Sequence, residues 1–91
     1  MPSVYFTVRF PDGQERQCYS PSTVVREYFQ PGEQMPLSEF CTRSRTALVL
    51  ASERVRAKYG FACSSAMDQL AQIQEWAQAC PAGGNVCILE I

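Results

Sequence analysis

The stretch Ala47–Ser64, ALVLASERVRAKYGFACS, decides how the chain is read. Ala47, Leu48, Ala51 and Val55 recur at offsets of three and four, the spacing of one helical stripe. Phe40 and Ser44 extend that stripe toward the N-terminus, so the pattern predicts a long helix opening at Pro36. Gly60 is its stop, and Lys58 sits where a cation favours a helix C-terminus. Ser52 is the place where a second helix would restart, though one continuous piece fits the stripe better.

Working outward, Val4–Phe10 alternates. Val4, Phe6, Val8 and Phe10 face one way and Tyr5, Thr7 and Arg9 the other, the period of a strand with one buried face. Pro11-Asp12-Gly13 is a turn signal, and Gln14–Tyr19 returns as the second, more polar strand of a hairpin. Ser20-Pro21 reads as a helix start, with a short helix over Pro21–Phe29 ended by Pro31-Gly32 and a connector over Glu33–Met35. After the long helix, a further helix is expected from Ser64 or Ser65 to about Ala79. Its inner stripe is Ala66, Leu70, Ile73, Ala77 and Cys80, with Met67 and Trp76 on its flank. Pro81-Ala82-Gly83-Gly84 breaks it, and Asn85–Ile91 is a last strand. The apolar run Val86–Leu89 suits a place inside the sheet, beside the first strand. The expected architecture is a single α+β domain over residues 1–91, in the order β-β-α-α-α-β. A small three-stranded sheet, the N-terminal hairpin plus the C-terminal strand, is packed on one face by helices.

Composition narrows the functional classes. Ninety-one residues with a net charge of −1 carry no global attraction for nucleic acid or anionic lipid. No run approaches the roughly 18 apolar residues of a membrane span, and no secretory signal is visible. A soluble, cytoplasmic chain is therefore expected. Cys18, Cys41, Cys63, Cys80 and Cys87 are odd in number and widely spaced, which suits reduced thiols better than a disulfide framework. With no histidine and no Cys-x-x-Cys pair, no metal site and no cofactor are expected.

The enzyme templates fail in turn. Without histidine there is no histidine general base and no catalytic triad, and no phosphate-binding glycine motif or nucleophile elbow occurs. Cys63 is the best single candidate, because it precedes a helix N-terminus, where a thiol pKa falls, with Arg56 and Lys58 near in sequence. It reads either as a reactive thiolate or as a small buried residue closing the turn. Arg43, Arg45, Arg54, Arg56 and Lys58 are spread around their helix rather than gathered in one stripe. They read as a solvated surface, partly paired by Glu39 and Arg43 at i,i+4, or as a docking site for an acidic protein or a small anion. Tyr5, Thr7 and Arg9 lie on a sheet face that stays open if every helix packs on the other side, and Tyr19 would join them. That face is plain solvated surface or the seat of a partner or second copy. Trp76 reads as a helix-packing residue or an interface anchor.

The motifs VRFPDG, CYSPS, SRTAL and ASERVRAKYGFACS, followed by a final apolar strand, resemble a family of small bacterial nitrogen-starvation response proteins along nearly the whole chain. Members are typically encoded beside a nitrilase and other enzymes, in clusters linked to nitrogen limitation and to cyanide or nitrile assimilation. The resemblance nominates Arg54, Arg56, Lys58, Tyr59, Gly60, Phe61, Cys63 and Ser64 as motif positions without assigning them a role. It leaves the activity undefined. Taken together with the absence of a catalytic constellation, that context leads to the expectation of a non-catalytic accessory or regulatory protein that binds a protein partner, an enzyme of such a cluster or a second copy of itself. The rival readings are a small enzyme or carrier using a Cys63 thiolate, and a small-anion-binding module with Arg54, Arg56 or Lys58 at the start of the Ser65 helix.

Overall fold

A computed structural model describes residues 3–60, 64–81 and 83–91. The chain is α+β. A four-stranded antiparallel sheet of β1 (Val4–Arg9), β2 (Glu15–Ser20), β3 (Gln34–Pro36) and β4 (Asn85–Glu90) has the order β2-β1-β4-β3. Helices α1 (Leu37–Tyr59) and α2 (Ser64–Gln78) cover one of its faces. As expected, β1 lies beside β4, and the apolar run of β4 places it inside the sheet. Val8 pairs with Ile88 and Thr7 with Glu90, so Leu89 is an extra residue that bulges β4.

Two expectations are corrected. The sheet has four strands, not three, because Gln34–Pro36 is a strand rather than a connector. Three residues ending in proline are too few to show a period of two. Backbone bonds hold them: Gly32 N–H donates to Ile88 O, and Ile88 N–H donates to Glu33 O. The third helix, expected over Pro21–Phe29, is instead a 3₁₀ helix over Thr23–Glu27, which leaves two α-helices among the described residues. Ser20 ends β2 opposite Val4, so Ser22 caps the turn, its Oγ accepting from Val24 N–H. Three consecutive β-branched residues, Thr23-Val24-Val25, further disfavour a full α-helix.

α1 runs unbroken through Ser52 and ends at Gly60, whose φ of +86° closes it in the left-handed conformation. Its inner stripe of Phe40, Ser44, Ala47, Leu48, Ala51 and Val55 is buried, together with Ser52. The sheet contributes Val4, Phe6, Val8, Met35, Val86 and Ile88 to the core. A chain of rings ties the layers: Phe6 on Phe29, Phe29 on Phe40, Phe40 on Phe10 and Phe10 on Trp76, with centroids 5.4–5.8 Å apart. Trp76 is thus a packing residue, and Arg16 lies 5.0 Å over its ring.

α2 lies along the outer margin of β2. Its buried Gln69 side chain accepts a 2.9 Å hydrogen bond from Tyr19 N–H, a backbone group on the edge strand. Gln69 is polar, so the apolar stripe read from the sequence omits it.

Candidate functional site

At 1.5 Å per residue the 23 residues of α1 span about 34 Å, whereas a six-residue strand spans about 20 Å. The helix therefore outreaches the sheet. Val55 is its last buried residue, and Arg56, Ala57, Lys58, Tyr59 and Gly60 are all exposed. The next described residues, Ser64 and Ser65, are exposed too, and burial resumes at Ala66. Phe61 and Cys63, two of the nominated residues, lie outside the described residues, as does the reactive-thiol reading built on Cys63.

The nominated cations do not converge. Arg54 turns back toward the 3₁₀ helix, 3.6 Å from Glu27, in an exposed pair of little energetic weight. Arg56 is two residues on and so projects from a different side of the helix. Lys58 Nζ sits 5.7 Å over the ring of Tyr59, which is 51 % exposed. Among the described residues the end of α1 is a protruding surface with an aromatic ring and cations, and these residues line neither the cavity between the helices nor the one beside the β1–β2 turn.

The outer face of the sheet is open, as expected if all helices share one side. Tyr5 is 58 % exposed, and its ring lies 5.5 Å from that of its cross-strand neighbour Tyr19. Arg9 pairs with Glu15 across the hairpin at 2.8 Å.

Arg43, on α1, is the best-connected charge. It donates to Glu33 at 2.8 Å, to Glu39 at 2.9 Å, one turn back as expected, and to the carbonyl of Tyr28 at 3.2 Å. These bonds fasten the loop before β3 onto α1. The hydrogen bond from Arg43 is the main cause that holds the Glu33 carboxyl below its ordinary value.

A half-open groove of about 750 Å³ lies at the other end of the helical layer. The first turns of α1 form one wall with Cys41, Thr42 and Arg45, and the last turns of α2 form the other with Gln74 and Gln78. α2 thus runs antiparallel to α1. The loop at Gly84 closes one end, its carbonyl accepting from Leu37 N–H at 3.0 Å. Sequence reading missed this groove, because it joins two helix ends far apart in the chain. In the sequence Arg45 is one of five cations spread around the helix, and nothing there sets it apart.

Of the described thiols, Cys18 is buried in the core and Cys41 is half-buried on α1. Burial pushes Cys18 up to about 12 and raises Cys41 as well, with Arg45 pulling the latter partly back. Among the described residues no three His, Cys, Asp or Glu side chains gather into a metal-ligand cluster, and no helix is long and apolar enough to cross a membrane.

A comparison with protein families matches residues 5–91 to the family described as nitrogen starvation-induced protein NitG. No curated protein and no solved structure matches the chain.

Proposed function

The chain belongs to the NitG family of nitrogen starvation-induced proteins, and on that premise we propose that it is a non-catalytic accessory or regulatory protein of the nitrogen-starvation response that works by binding a protein partner. The observation that carries this reading is the overhang of α1, where the last turn stands clear of the core and presents Arg56, Lys58 and Tyr59 to solvent. Exposed aromatic and basic side chains on a rigid helix end suit a partner with an acidic surface, since charge steers the encounter and the ring supplies buried area. The partner is an enzyme encoded in a nitrilase-containing gene cluster. Self-association through the open sheet face alone is disfavoured by area. Three six-residue strands of about 20 Å and the three-residue β3 of about 10 Å, spaced about 4.8 Å apart, make a patch of roughly 340 Å² per partner, less than half of what a stable interface needs.

The test mixes the purified chain with each enzyme encoded beside its gene and follows complex formation by size-exclusion chromatography and calorimetry. One enzyme forms a complex that weakens with added salt, and the double change Arg56→Glu with Lys58→Glu lowers the affinity about ten-fold or more. No complex with any of the enzymes, or a complex indifferent to the double change, would defeat the proposal.

A further inference from the structure

We propose that the groove between α1 and α2 binds a small organic carboxylate, which Arg45 orients. The volume of about 750 Å³ falls within the range of small-molecule sites, roughly 300–1,000 Å³. Among the described residues Arg45 is the one charged residue along its walls, and no Asp or Glu of them lines it. Arg43 and Arg54, on the same helix, are engaged by carboxylates of the chain itself, whereas Arg45 has no ion-pair partner among the described residues. A guanidinium presents a planar fork of donors that matches the two oxygens of a carboxylate.

The rest of the groove fits the remainder of such a molecule. Gln74 and Gln78 bring carboxamides that make no hydrogen bond among the described residues, so both keep donors and acceptors for a ligand. Leu37 and Ala77 supply an apolar lining for a short alkyl portion. Burial keeps the neighbouring Cys41 thiol in its neutral form, so it does not compete for the guanidinium as an anion. A single cation flanked by neutral amides suits a monoanion better than a phosphate dianion. This site is at the end of α1 opposite Arg56, Lys58 and Tyr59, so it stands or falls independently of the partner reading.

The probe is sodium hexanoate, titrated into the full chain and followed by amide ¹⁵N–¹H NMR, with hexanamide and inorganic phosphate in parallel. Hexanoate gives saturable shifts centred on Cys41, Thr42, Arg45, Gln74 and Gln78, and hexanamide and phosphate bind about ten-fold more weakly or worse. Arg45→Gln lowers hexanoate affinity by about ten-fold with the spectrum otherwise preserved, and Arg45→Lys retains part of it. The proposal is overturned by no saturable shift up to about 10 mM. It is equally overturned by equal binding of hexanamide or phosphate, by affinity unaffected in Arg45→Gln, or by shifts centred on Arg56–Gly60 instead.

Discussion

Gly84 has a hydrogen where any other residue carries a Cβ, and the ring of Pro11 already fills that space. The loop before β4 thereby rests directly on the β1–β2 turn while its carbonyl receives the first N–H of α1. Pro11 is ring-locked and cannot swing away, so Gly84→Ala forces a backbone shift. The substitution is expected to lower stability by about 1–3 kcal/mol, the usual cost of overpacking, read as a drop in the urea midpoint at unchanged slope. Its neighbour Gly83 takes a φ of +84°, as a turn residue should. The sequence announces that turn through Pro81-Ala82-Gly83-Gly84, but it holds no local sign that the second glycine is a contact residue. The partner, Pro11, comes from the other end of the chain. Arg45 poses the same difficulty. Its lack of a mate is legible only as one more cation on a helix, until the fold brings Gln74 and Gln78 opposite it.

At the scale of elements, regular pattern and visibility went together. The 3.6-residue stripe of α1, its glycine stop and the alternation of β1 are long enough to be read directly, and each is where the pattern puts it. β3 and the 3₁₀ helix are short, and pairing with β4 and the Ser22 cap define them rather than any period of their own. Gln69 illustrates a third case, a polar side chain inside an apolar stripe that looks like an error of amphipathicity. It is there to receive the Tyr19 N–H. Gln69→Leu keeps the volume and removes the acceptor. The expected result is a loss of about 1–3 kcal/mol for the orphaned donor, with faster hydrogen exchange at the Tyr19 amide than elsewhere in β2. An unchanged exchange rate there would mean that α2 does not fasten this strand.

For the molecule as a whole, acid should act through the loop that Arg43 fastens. Glu33 is held below its ordinary value near 4.5 by that guanidinium, reinforced by the Gln30 N–H and opposed by burial. A group with a lower value when folded contributes fully above its unfolded value, and the contribution disappears as pH falls through the lower, folded one. Unfolding by urea, measured from neutral pH down to about pH 3, should therefore show a midpoint that falls below about pH 4.5. The fall should be shallower in Glu33→Gln, and modest in both, because the pair is partly open to solvent. An identical acid slope in the variant would remove Glu33 from the account. The margins of the sheet have a different consequence. On one side the Gln69 side chain takes the Tyr19 N–H of β2, and on the other β3 is three residues long and ends in a proline that has no N–H to give. An incoming polypeptide meets an edge with one N–H already taken at β2 and only a short, proline-ended strand at β3, which makes either margin a poorer template for a fifth strand.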